Sequence, residues 1–218
     1  VLAAFLGAYL LTGILQADHR QVVNGDFDDG TLGGWTVFLT PNGMQMSDPS
    51  VVDFDMNGDG LFSSVARFQL GTKDNEPGGG GIYQTIHLSE GVYTVSAEIG
   101  VNDTGSVGGV DKPGLFELLL DGVVADSHEF SLVKPSQTLV ANLAINAENP
   151  YEVRLRITRM YPSSSKLLQL IDNVAVSMVS SEPLASNSTA AGGAHCEEPH
   201  HVKALLPTDL PTSLESAL

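Results

Sequence analysis

From about residue 22 to residue 180, apolar and polar side chains alternate in short runs, and Gly, Asp, Asn or Pro separates one run from the next. A period of two places successive side chains on opposite faces of an extended chain, so each run reads as a strand with one face to bury. Tyr93, Val95, Ala97 and Ile99 share one such face, and Tyr151, Val153, Leu155 and Ile157 share another. Asp121-Gly122 joins the runs Leu115–Leu120 and Val123–His128, and Asp-Gly accepts the positive φ that a two-residue hairpin needs. These patterns predict an all-β, antiparallel sandwich that needs no helix in its body. Gly78–Gly81 and Gly105–Gly109 read as mobile loops, and no internal repeat is present.

The chain has 218 residues, enough for one sizeable core with appendages. Its formal net charge of −16 repels phosphate backbones and anionic headgroups, which excludes nucleic acid as an expected partner. Cys196 is the one cysteine, so no intrachain disulfide forms and packing must supply stability.

Residues 1–17 carry no charge and stop abruptly at Asp18-His19-Arg20. As a helix they would extend about 25 Å, near the short end of what crosses a bilayer. Two readings stand: a cleaved export signal ending near Leu15-Gln16-Ala17, or a retained transmembrane anchor. Either puts the sandwich outside the cytoplasm, in the periplasm or at the cell surface. Residues 181–218 turn to Ser, Ala, Pro, Thr and Gly, a composition too poor in large apolar side chains to order itself. Within them Leu205, Leu206, Leu210, Leu214 and Leu218 are spaced as for folding against a partner. The sequence thus divides into an apolar segment 1–17, a sandwich 18–180 and a tail 181–218.

Three phrases occur in a telling order. Residues 22–37 read VVNGDFDDGTLGGWTV, residues 82–95 read IYQTIHLSEGVYTV, and residues 170–176 read LIDNVAV. They resemble the opening, middle and closing strands of the galactose-binding-like jelly rolls, the superfamily that contains many carbohydrate-binding modules. The resemblance spans roughly residues 20–178 and implies a jelly-roll fold. Fold does not fix function, because this architecture hosts many. The resemblance also implies a structural calcium held between Asp28 of the opening phrase and Asp172 of the closing one. Asp28 stands where the family usually has Glu, one methylene longer.

Two further clusters carry potential ligands. Asp53, Asp55, Asn57 and Asp59 alternate with Gly58 and Gly60 close by, a pattern of hard oxygen donors around a tight turn. Ser64 stands at the twelfth position counted from Asp53, where an EF-hand needs Glu, so a looser calcium loop and a plain solvated turn both remain. His195-Cys196-Glu197-Glu198-Pro199-His200-His201 is rich in metal ligands, but its setting lacks the fixed geometry of a site and reads as adventitious.

No nucleophile elbow, metalloprotease helix or phosphate loop is present, and no two of the many acids stand out as a hydrolytic pair, so an enzyme is not expected. Carbohydrate binding needs exposed aromatic rings for stacking. Trp35 matches the core position of the opening phrase, and Tyr93 and Tyr151 fall on apolar faces, which leaves Tyr83 and Tyr161. Arg154 and Arg156 project from the polar face of one strand, with Arg159 following, and suit an acidic sugar or a protein carboxylate if neighbouring acids leave them available. The leading expectation is a non-catalytic, membrane-anchored sandwich acting as an accessory or scaffold subunit of a larger complex. The alternative is a secreted or cell-surface carbohydrate-binding module with a cleaved signal.

Overall fold

Tyr93, Val95, Ala97 and Ile99 are fully buried, as are Val153, Leu155 and Ile157, with Tyr151 half-buried beside them. The alternation therefore does what the pattern demands, because burying each such side chain contributes about 1.5–3 kcal/mol. The computed structural model describes residues 22–181 apart from 75, 103–111, 131–135 and 163–166. Those residues form twelve strands and no helix, so none is long and apolar enough to cross a membrane. The chain divides into Val1–Ala185 and Ser186–Leu218. Segment 1–17, the His195–His201 cluster, the leucines from Leu205 onward and Gly105–Gly109 lie outside the described residues.

One sheet runs in the order β1 (Thr36–Leu39), β6 (Gly78–Leu88), β11 (Asn149–Arg159), β8 (Gly114–Leu120), β9 (Val123–Phe130). The other runs β10 (Gln137–Ile145), β7 (Gly91–Val101), β12 (Gln169–Ser180), β4 (Ser63–Phe68), β3 (Ser50–Phe54). A short ribbon pairs β2 (Gly43–Gln45) with β5 (Leu70–Thr72), and every pairing is antiparallel. The two large sheets pack face to face as a jelly-roll sandwich. Ile82, Phe116, Leu118 and Ile157 of the first meet one core with Tyr93, Val95, Ile99 and Ile171 of the second. The Asp121-Gly122 turn is as the sequence predicts, with φ of 48° and 79°, and Asp121 accepts the Glu152 amide at 2.7 Å.

Gly78–Gly81 departs from expectation. These residues are not a loop; they are the buried first part of β6, paired with β1 on one side and β11 on the other. A Cβ at Gly79 or Gly81 would strike the carbonyl oxygen of Ile157 or Leu155, and one at Gly80 that of Phe38. Glycine is required here by close backbone approach, not by flexibility.

The opening phrase is a loop held by specific bonds. Val174 donates its amide to the Gly25 carbonyl at 2.8 Å, and the Trp35 indole donates to the Asn24 carbonyl at 2.9 Å. Phe27 has left-handed backbone, φ 53°, yet its ring is fully buried against Trp35, so packing sustains an unfavourable turn. Gln84, nearly buried, accepts the Val23 amide at 2.8 Å and donates to the carbonyls of Val23 and Gly34 at 3.0 and 2.8 Å. Gln84→Ala leaves these groups without their partner and is expected to cost about 1–3 kcal/mol. In urea unfolding the midpoint should fall with an unchanged slope; an unmoved midpoint would show the opening phrase is held without Gln84.

Candidate functional site

Antiparallel register brings chemically active side chains together on the outer face of the first sheet. Phe38 lies opposite Gly81, Gly81 opposite Arg156, and Arg156 opposite Glu117. One row along, Thr36 lies opposite Tyr83, Tyr83 opposite Arg154, and Arg154 opposite Leu119. Directly opposed residues point to the same face, so these rows are neighbours on one surface.

Phe38 and Tyr83 are half-buried, with ring centroids 6.2 Å apart and planes tilted by 59°. The Arg154 guanidinium lies 4.6 Å from the centre of the Phe38 ring and 5.0 Å from that of Tyr83, a cation–π contact with both. Glu152 holds it there from two residues away, 2.9 Å from Nη2 and 2.8 Å from Nε.

Beside this aromatic pair Gly79 and Gly81 carry no side chains on the outer face and are themselves buried, and the surface dips into a trough next to them, along β11 and β8. An open depression of about 310 Å³ lies there, lined by Thr40, Gly78, Leu115, Glu117, Arg156 and Thr158 with Pro77 at its edge. Glu117 is 7% exposed and accepts Arg156 through two bonds, Nε at 2.6 Å and Nη2 at 2.9 Å, while the Thr158 hydroxyl donates to it at 3.3 Å. Those bonds raise the Arg156 pKa above its ordinary value. The forked pair still presents unused guanidinium N–H donors and carboxylate lone pairs to the trough.

Tyr83, Arg154 and Arg156, expected from the sequence, are thus neighbours, whereas Tyr161 is not among the residues lining the depression and its carbonyl is bonded to the Thr72 amide. Arg159, the third basic residue of the run, points inward; it is 2% exposed and donates to the carbonyls of Leu70, Lys112 and Pro162. Phe38 and Glu117 were not singled out from the sequence. Glu117 had a signal, a lone charge inside Leu115–Leu120; Phe38 gains its place only from the register of β1 on β6.

The acidic residues separate into two places. Asp53 is exposed on β3, opposite Ser64. Asp55 accepts the amides of Gly58 at 2.6 Å and Gly60 at 3.0 Å, and Asp59 accepts that of Leu61 at 2.7 Å and the Asn57 side chain at 2.9 Å. This loop uses its oxygens to cap its own backbone. Met56 anchors it in a small cluster with Val65 and Leu170, on the face of the second sheet away from the main core.

Asp172 lies on that same face, two residues beyond Leu170, and is 1% exposed. It accepts the Ser63 hydroxyl and the Asn173 amide, each at 2.7 Å. Burial, with smaller contributions from the charges of Glu98 and Asp28, pushes its pKa up to about 6 against those two bonds. The opening and closing phrases therefore do bring Asp28 within electrostatic reach of Asp172. Among the described residues no three Asp, Glu, His or Cys side chains gather as metal ligands, so a cation here would need carbonyl or hydroxyl oxygens as well. A buried carboxylate facing like charge fits a hard cation of that kind.

No family model matches the sequence, and no curated protein does. Among solved structures, the chain is similar to a family 61 carbohydrate-binding module in complex with β-1,4-galactotriose, at 14% identity over 73% of this chain and 98% of that one, with a TM-score of 0.47. It is similar to a family 4 carbohydrate-binding module at 16% identity over 72% of this chain and 99% of that one, TM-score 0.45. A Clostridium thermocellum xylanase fragment complexed with xylohexaose, containing a family 22 module, matches at 13% identity over 73% of this chain and 29% of its own length, TM-score 0.42.

Proposed function

We propose that this protein is a non-catalytic carbohydrate-binding module that holds glycan on the outer face of its first sheet. One observation carries the reading: of an aromatic pair, Phe38 shares its row of the outer face with the forked Glu117–Arg156 pair and Tyr83 stands in the next row, and the fork lines an open depression. Sugars combine apolar ring faces with vicinal hydroxyls, and this surface offers an apolar edge beside fixed donors and acceptors. Such a ligand is met outside the cytoplasm. The scaffold-subunit reading rested on the apolar residues 1–17, the few exposed aromatic rings, the lack of catalytic motifs and the leucines of the tail; the first and last of these lie outside the described residues.

The Asp28–Asp172 region supports a structural calcium rather than a reactive one. Both carboxylates would hold the ion with backbone oxygens of the opening phrase, which ties the chain's start to its closing strand. When bound, the ion supplies positive charge that stabilises both acids in ionised form.

Titration calorimetry with β-1,4-galactotriose and xylohexaose tests the glycan reading. One of these or a related glycan should bind, and Phe38→Ala and Tyr83→Ala should each weaken it about tenfold, about 1.4 kcal/mol. Unchanged affinity in both variants would remove the face from consideration.

Proton linkage tests the ion. Without metal, the folded-state pKa of Asp172 at about 6 exceeds its ordinary 3.8, so protonation favours the fold. This contribution is fully present below about pH 4 and lost as pH rises through 6. Calcium competes for the same site as the proton. The rise in melting temperature on replacing chelator with calcium should be largest at pH 7 and above, shrink below 6, and be absent in Asp172→Asn. Equal melting temperatures with and without calcium at pH 7 would exclude the ion.

A further inference from the structure

We infer that the Glu117–Arg156 pair is a specificity-determining device that admits uncharged sugars to the trough and turns away uronates. This rests on the glycan-binding reading above and adds a selectivity to it. A surface carrying two arginines invites the opposite expectation, since guanidinium forks are well matched to carboxylates. Here each fork already has its carboxylate. Arg156 is held by both oxygens of Glu117 at 2.6 and 2.9 Å, and Arg154 by one hydrogen bond from Nη2 to Glu152 at 2.9 Å, with Nε 2.8 Å from the other oxygen as an ion pair without hydrogen-bond geometry. Glu129, opposite Leu115 on the same face, adds a further negative charge to the row beside the trough. The face is therefore not cationic, in a chain whose net charge is −16.

A uronate carboxylate reaching Arg156 has either to accept from the spare N–H groups against the charge of Glu117, which already neutralises the guanidinium, or to displace Glu117 from the fork. The Glu117 side chain is 9% exposed against 33% for Arg156, so the displaced acid would stay out of water without its counter-charge. Leaving one partner of a buried pair alone is the costly way to break it. A hydroxyl pays no such penalty. It accepts from a spare guanidinium N–H and donates to a carboxylate lone pair while the fork stays closed. The Thr158 hydroxyl already makes the second of these contacts, donating to Glu117 at 3.3 Å, which shows that the closed pair accepts an uncharged O–H.

The test compares β-1,4-galactotriose and xylohexaose with trigalacturonate, by calorimetry on wild type, Glu117→Gln and, because Glu117→Gln risks misfolding, Arg156→Gln. Wild type should bind a neutral probe at least tenfold more tightly than trigalacturonate. Glu117→Gln frees Arg156 and should improve trigalacturonate binding at least tenfold, with a steep loss on adding salt. Arg156→Gln should weaken the neutral probe and leave trigalacturonate unbound. Wild type binding trigalacturonate as well as a neutral sugar would overturn this inference alone. So would variants that leave the ratio between the sugars unchanged. Binding of none of the three sugars by wild type or either variant would overturn the glycan-binding reading, and this inference with it.

Discussion

The backbones of β1, β6 and β11 lie together so closely at Gly79, Gly80 and Gly81 that no side chain fits between them. Much else depends on this contact. It removes side chains from the outer face at Gly79 and Gly81, so that Phe38 and Arg156 flank Gly81 in one row across three strands. Further along the same strand, Tyr83 points out beside Phe38 while its neighbour Gln84 clamps the opening loop. One strand thus sets the close approach to β1 and β11, the place of the Tyr83 ring and the position of the segment that carries Asp28. A single methyl group on the glycine tract would force β6 away from a neighbouring strand and disturb all three.

The sequence revealed the sandwich better than it revealed the surface. Burial of one face drives alternation, and Tyr93 to Ile99 and Val153 to Ile157 follow it because each is packed in the core. The Asp121-Gly122 turn was legible because its backbone demands positive φ at both positions. The run of four glycines was misread because absence of a side chain marks flexibility and close packing equally. Only the pairing partners distinguish them. Phe38 was invisible for a related reason: β1 has no fully buried residue, so its four side chains carry no alternation to read. Tyr83, Arg154 and Arg156 could be singled out, since they stand on polar faces of otherwise apolar strands, but their place near Glu117 required register across three strands. Asp28 and Asp172 are 144 positions apart in the sequence. What linked them before the structure was the order of the opening and closing phrases.

Two nearly buried carboxylates show how differently an acidic chain can resolve the same electrostatic problem. Glu117 is neutralised by a permanent partner, the Arg156 fork, whose charge does not change over any physiological pH. That arrangement is rigid and selects by geometry. Asp172 has two uncharged donors, Ser63 and the Asn173 amide, and faces Glu98 and Asp28, so its neighbours oppose its charge. A proton or a bound cation would relieve that opposition. Its position explains why this matters to the fold as a whole. Asn173 has left-handed backbone, φ 48°, directly before Val174, whose amide binds Gly25 of the opening loop. The acid whose charge is exchangeable therefore sits at the junction that closes the sandwich, while the acid whose charge is fixed sits beside Arg156 on the outer face of the other sheet. Adjusting the first changes how firmly the opening loop is joined to β12, and leaves the outer face of the other sheet with its own counter-charge intact.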